Sequence, residues 1–136
     1  MTIDTEIRDI LTSVKTIAVV GFSANPSRPS HEVAQFLQSK GFTVIPVNPG
    51  LAGQTQLGET VYATLADIPG PVDMVDVFRA SDAVAGVMKE ALAIKAKVVW
   101  TQLGVVDKDA AEKGRAAGLK VVMNRCPAIE MPRLGL

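Results

Sequence analysis

Short apolar runs, each followed by a stretch of helical periodicity, predict an α/β fold in which a doubly wound parallel sheet is sandwiched between helices in three layers. Three observations carry this. The runs are apolar along their whole length instead of alternately, which is the pattern of strands buried on both faces of a parallel sheet. The helical stretches between them are long enough to be crossovers, which run right-handed in such sheets. The 136 residues suffice for one core, since single domains commonly run to about 100–200 residues, so residues 1–136 are expected to form one domain.

Ile3, Ile7, Ile10, Leu11 and Val14 recur at helical spacing, so the first 14 residues are expected to hold an amphipathic lead-in helix over residues 3–14. Ile17 to Val20 is the first strand and ends at Gly21. Val33, Phe36, Leu37 and Lys40 give a helix starting near His31 and closed by Gly41, and Val44 to Val47 is the second strand. These form a βαβ unit. Asn48 to Pro71 is dense in glycine and proline, so the second crossover is expected to be loop-rich, with a short third strand around Thr60 to Tyr62. Met74 to Phe78 is the fourth strand. Val84, Val87, Met88, Ala91 and Leu92 mark a long helix that Ser81 or Asp82 is placed to cap. Val98 to Thr101 is the fifth strand, Asp107 caps a helix running to Gly118, and Leu119 to Met123 is the last strand. Residues 126–136 read as a proline-containing tail.

Composition narrows the function. The chain is 48% hydrophobic and 21% charged, and its 14 Lys and Arg equal its 14 Asp and Glu. It is therefore expected to fold unaided, without the global positive field that gathers nucleic acid or anionic membrane. The N-terminal stretch lacks a basic region followed by an apolar one, and no run approaches the roughly 20 apolar residues of a membrane span. One cysteine, Cys126, cannot make an internal disulfide, and no Cys/His set has zinc spacing. A cytoplasmic setting with no nucleic-acid or membrane partner and no metal is expected.

In doubly wound sheets ligands sit beyond the carboxyl ends of the strands, where strand order reverses. With the usual order 3-2-1-4-5-6, that crevice lies between residues 21–30 and residues 78–81. The first of these loops, Gly21-Phe22-Ser23-Ala24-Asn25-Pro26-Ser27-Arg28-Pro29-Ser30, leads into a helix N-terminus, whose unpaired N–H groups and partial positive charge attract phosphate. Arg28 adds a cation with a fork of donors. The loop reads as a diphosphate cradle. It is not the dinucleotide fingerprint, because Ser23 stands at its second glycine. The second strand runs into Val47-Asn48-Pro49 with no Asp or Glu to accept a ribose 2′-hydroxyl, and no Arg or Lys closely follows. NAD fits poorly, and NADP is weakened for a similar reason.

Val20-Gly21-Phe22-Ser23, Ser27-Arg28-Pro29-Ser30-His31, Val44 to Pro49, Val75-Asp76-Val77-Phe78-Arg79, Val99 to Gly104 and Asn124-Arg125-Cys126-Pro127 together resemble the stand-alone CoA-binding domain proteins. These are small Rossmann-like chains similar in fold to the CoA-binding domain of succinyl-CoA synthetase alpha subunits. The resemblance runs from about Lys15 to Leu134. It implies coenzyme A, or an acyl-CoA, as the ligand. Gly21, Phe22 and Ser23 would hold its phosphates with Arg28; Val47, Asn48 and Pro49 would meet the ribose and pantetheine side. Val77, Phe78, Arg79, Thr101 and Gln102 would line the adenine end. The sequence departs from the pattern at Ala24, where the synthetase-like loop has glycine, and at Ala80-Ser81, where many stand-alone members have prolines.

Other reactive side chains read as structural. His31, near a helix start, has no paired Ser or Cys nucleophile at a recognisable spacing. Cys126 could form a mixed disulfide with the CoA thiol, but a buried free cysteine is the commoner outcome. Asp76 within an apolar strand must be hydrogen-bonded and reads as a loop anchor; Trp100 reads as core. With no catalytic set, the chain is expected to be a non-enzymatic carrier, sensor or regulatory module. The alternatives are the CoA-binding component of a split acyl-CoA synthetase with a ligase-like protein partner, or a nucleotide-dependent enzyme. A homo-oligomer is also compatible.

Overall fold

A computed structural model describes residues 2–136. Thr2 caps helix α1 (Ile3–Ser13) by accepting from the Thr5 N–H, and α1 leads into β1 (Thr16–Val20). Helix α2 (Pro29–Ser39) starts at Pro29, two residues before the expected His31. A proline at the first helical position gives up no hydrogen bond, because that N–H is unpaired in any case. Strand β2 (Thr43–Val47) follows. Then come the short antiparallel pair β3 (Thr55–Gln56) and β4 (Glu59–Thr60), β5 (Met74–Val77), α3 (Val84–Ala93), β6 (Val98–Thr101), α4 (Lys108–Ala116), β7 (Lys120–Val122) and α5 (Pro127–Arg133).

The main sheet has five strands in the order β2-β1-β5-β6-β7, all neighbours parallel. The expected third strand shrinks to a single parallel bridge between Val47 and Tyr62 at the β2 edge. Proline explains the shrinkage. The Pro46 carbonyl faces that edge and accepts from the Tyr62 N–H at 3.1 Å, so the nitrogen on the same side of the strand has no hydrogen to donate. A longer ladder cannot form there, and residues 55–60 pair with each other instead. The reversal of strand order still falls between β1 and β5, where it was expected.

Side chains alternate between two cores. Ala18, Val20, Val75, Val77, Val99 and Val121 face α3 and α4. Ile17, Val19, Met74, Val98, Trp100 and Val122 face α1, α2 and α5. Both sheet faces are thus covered, which gives the three layers. The structure corrects two further expectations. Residues 126–136 are not simply a tail: Pro127 opens α5, which packs Met131 into the core. The caps expected of Ser81 and Asp82 are not made; the chain enters α3 through a 3-10 turn without a side-chain cap, and the Ser81 hydroxyl accepts from the Val106 N–H at 2.9 Å instead. Asp107 does cap α4, accepting from the Ala110 N–H at 3.0 Å.

Helix α5 is tied to α1 across the whole chain. Arg133 donates to both Asp4 oxygens at 2.7 and 3.1 Å and to the buried Glu130 at 2.9 Å, while Arg8 donates to the Leu134 carbonyl at 2.8 Å. Arg125 completes the group from the other side of Glu130. The Arg133 guanidinium holds both carboxyls below their ordinary values, with help from Arg125 at Glu130. No helix among the described residues is long and apolar enough to cross a membrane.

Candidate functional site

At the carboxyl ends of β1 and β5 a cavity of about 860 Å³ opens between the loop before α2, the turn after β2 and the loops after β5 and β6. Ligand pockets of about 300–1,000 Å³ are typical for molecules of cofactor size. Gly21 lets its walls meet. Its φ is +87°, and a Cβ there would lie 2.4 Å from the Phe78 carbonyl oxygen, so any side chain would force apart the two loops on either side of the crevice.

The loop after β1 is braced by its own groups. The Gly21 and Phe22 N–H groups both donate to the Val47 carbonyl, at 3.1 and 3.3 Å. The Ser23 N–H donates to the Ser30 hydroxyl at 3.0 Å, and the Asn25 N–H to the Ser23 hydroxyl at 3.1 Å. His31 is buried, stacks at 5.1 Å on Phe22 and holds the Ser23 carbonyl at 2.8 Å through Nδ1. A carbonyl only accepts, so Nδ1 carries the proton. Asn48 is equally committed: Nδ2 donates to the Phe22 carbonyl at 2.7 Å while Oδ1 accepts from the Gly50 N–H at 2.8 Å.

The donors left for an anion are therefore others than the sequence pattern suggests. Neither the Ala24 N–H nor the Ser30 N–H meets an acceptor among the described residues, and both residues line the cavity. Ser30 is the second residue of α2, so its N–H carries the positive end of the helix dipole. Arg28 and Arg79 also line the cavity, are exposed, and pair with no acid among the described residues. The lining contains no Asp or Glu. Glu90 borders only the adjoining cleft that Arg79 also reaches, so the main cavity pairs two guanidiniums with no carboxylate of its own, an arrangement suited to a multiply charged anion.

Of the residues expected to bind, Gly21, Phe22, Ser23, Arg28, Asn48, Phe78, Arg79 and Gln102 share this cavity. Val47 and Pro49 line a smaller adjoining cleft of about 410 Å³, which Gly21, Asn48 and Arg79 also border. Val77 and Thr101 do not reach either space. Val77 is wholly buried in the α3-facing core, and the Thr101 hydroxyl is held between the Val105 carbonyl at 2.7 Å and the Asn124 N–H at 3.1 Å. Residues not anticipated from the sequence are Val33, Gly50, Leu51, Leu103 and Val105, which line the same cavity. Leu51 and Val33 supply an apolar wall; the spacing of Val33 signalled only a core position.

Asp76 is fully buried behind Gln102, whose Nε2 donates to both carboxylate oxygens at 2.9 and 3.1 Å. Burial pushes the Asp76 carboxyl up to about 7, against the pull of the Gln102 hydrogen bond. Cys126 borders the cavity but is buried, and burial pushes its thiol up as well. Trp100 belongs to the core, with Nε1 donating to the Arg125 carbonyl at 2.8 Å. No cluster of three or more His, Cys, Asp or Glu side chains suited to a metal occurs among the described residues.

Comparison with known proteins agrees with this architecture. The profile of a family described as "CoA binding domain" matches residues 15–132. The chain is 41% identical over 121 residues to uncharacterized protein YneT of Bacillus subtilis, covering 89% of this chain and 88% of that protein. A solved Thermus thermophilus structure, cell-free ID.343, superimposes with a TM-score of 0.92 at 40% identity, covering 98% of this chain and 99% of its own. At 24% identity and a TM-score of 0.66, 79% of the chain also matches a quarter (25%) of the dinucleotide-forming acetyl-coenzyme A synthetase 1 of Ca. Korarchaeum cryptofilum, a likeness of fold.

Proposed function

Since this chain belongs to the CoA-binding domain family, we propose that it binds coenzyme A or an acyl-CoA, non-covalently, in the cavity at the β1–β5 crevice, and acts as a carrier, sensor or regulatory module. The observation that carries this reading is the pair of unpaired arginines, Arg28 and Arg79, facing one acid-free cavity with the free N–H groups of Ala24 and Ser30. Coenzyme A presents a diphosphate and a 3′-phosphate, enough negative charge to engage both guanidiniums. The cavity's volume suits a ligand of that size, and Leu51, Val33 and Phe78 offer apolar surface to its uncharged parts. Gly21, Phe22 and Asn48 then serve by shaping the loop, and Ser23 through its side chain.

The test is calorimetric titration of the purified chain with CoA, NAD and NADP. CoA is expected to bind most tightly, because the turn after β2 offers Val47-Asn48-Pro49 and no carboxylate for a ribose 2′-hydroxyl. Equal or tighter binding of NAD overturns the reading.

A second reading is a CoA-binding component of a split acyl-CoA synthetase whose catalytic partner is a separate chain. Leu103, on the cavity rim, is 59% exposed, and Ile129, which borders the same loops, is 55% exposed; such side chains suit burial against a partner. Under both readings the chain alone forms no acyl-CoA from a carboxylic acid, CoA and ATP. Turnover that scales with this chain and survives repurification would show otherwise.

A further inference from the structure

Binding of the CoA phosphates leaves one pair at the cavity floor without a role. Asp76 sits in β5 beside Val19 of β1 and Trp100 of β6, wholly buried, and Gln102 is only 7% exposed. Gln102 Nε2 reaches both Asp76 oxygens. An ionised carboxylate offers only acceptors, so the amide must turn its NH2 inward and its carbonyl oxygen the other way. That oxygen has no donor among the described residues, and no unpartnered side-chain oxygen or nitrogen is sealed from solvent among them. It therefore opens into the cavity that Gln102 lines.

We propose that Asp76 is a positioning residue: it locks the Gln102 amide with Oε1 toward the cavity, so that this point of the site accepts a hydrogen bond from a ligand N–H and rejects a ligand that presents an acceptor there. This rests on the CoA reading and adds to it a selection rule. CoA carries N–H donors in two places, the amine of adenine and the amides of the pantetheine arm. Of the ionisable groups around the cavity, Cys126 feels the Asp76 charge, which pushes its thiol further up, but none among the described residues forms an ion pair or a side-chain hydrogen bond with the pair. His31 on α2 is engaged with Ser23, the Cys126 thiol ahead of α5 makes no side-chain bond to either residue, and Arg28 and Arg79 form no ion pair with Asp76.

The experiment is calorimetric titration at pH 8, where Asp76 is mostly ionised, of the wild type, Asp76→Asn and Gln102→Leu. The ligands are CoA, the CoA analogue whose adenine amine is replaced by oxygen, and 4′-phosphopantetheine. If adenine supplies the N–H, the wild type binds CoA roughly tenfold more tightly than the analogue. In Asp76→Asn that ratio shrinks to within about threefold, because asparagine offers one donor and one acceptor and lets the Gln102 amide turn over. If the pantetheine arm supplies it, the analogue binds as CoA does, and Asp76→Asn weakens CoA and 4′-phosphopantetheine alike by roughly tenfold. Gln102→Leu removes the acceptor and gives the corresponding loss in either arm, which covers the case of an Asp76 variant that folds poorly. Wild-type affinities and an unchanged CoA-to-analogue ratio in both folded variants overturn the inference. A wild type that does not bind CoA overturns the binding reading instead.

Discussion

Replacing Asp76 by asparagine should change how stability depends on pH, by an amount the geometry allows to be worked out. The carboxyl is fully buried, and burial lifts it from 3.8 to about 7. In an unfolded chain it ionises at its ordinary value. Between those values the native state keeps a proton that the unfolded state has released, so stability falls as pH rises. The contribution of the protonated carboxyl is complete below about 3.8, and its loss is complete above about 7. One pKa unit corresponds to about 1.36 kcal/mol. From pH 5 to pH 8, where about two units of that span are crossed, the wild type should lose roughly 3 kcal/mol that Asp76→Asn does not lose. The carboxyls of Asp4, Asp73 and Glu130 are held low, so they are ionised throughout this window and cancel in the difference. Urea unfolding of both proteins at pH 5, 6, 7 and 8 measures it. Parallel stability curves, within about 0.5 kcal/mol of each other at every pH, would falsify the account of Asp76 as a buried group charged at the expense of the fold.

Arg28→Ala should weaken CoA binding by roughly tenfold to a hundredfold, the range for a lost hydrogen bond to a charged group, with stability nearly unchanged because its side chain is exposed and forms no ion pair among the described residues. Dephospho-CoA assigns the contact: an equal loss on both ligands places Arg28 at the diphosphate, and a loss confined to CoA places it at the 3′-phosphate. Unchanged affinity for both would remove Arg28 from the site. Gly21→Ala should lower stability by about 1–3 kcal/mol or more, since it combines a positive φ with a 2.4 Å approach to the Phe78 carbonyl oxygen; a melting temperature equal to that of the wild type contradicts the close-approach argument. Cys126 should react with iodoacetamide more slowly than free cysteine at pH 7.5, since burial raises its thiol and the thiolate is the reacting form. CoA should slow it further, and alkylation at the rate of free cysteine would show the thiol to be accessible and activated.

The sheet was legible because it depends on composition along short segments: runs such as Val98 to Trp100 are apolar throughout, and Asp107 and Gly118 stand where a helix must start and stop. The third strand failed for a reason visible in one residue, since Pro46 denies the edge a donor, yet its effect depends on which side of β2 faces outward. Helix α5 was missed because its seven residues include two prolines, and their effect on pattern outweighed the signal of Pro127 at a helix start. Within the site, the loop and both arginines could be read, but the use of each N–H could not. Gly21 and Phe22 give theirs to Val47, and Asn48 serves Phe22 from 26 residues away; such pairings exist only once the sheet has brought β1 and β2 together.

The clasp between α1 and α5 has a kinetic consequence. Arg133 and Asp4 are separated by 129 residues, so their contact closes almost the entire chain into a loop, and the entropy of doing so is repaid only when the intervening sheet has already shortened the path. Interactions absent from the folding transition state act on the rate of escape from the native state. Arg133→Ala should accordingly leave the refolding limb of a chevron plot in place and raise the unfolding limb. A slowed refolding limb would mean that the two ends meet early, and that the chain is organised from its termini inward.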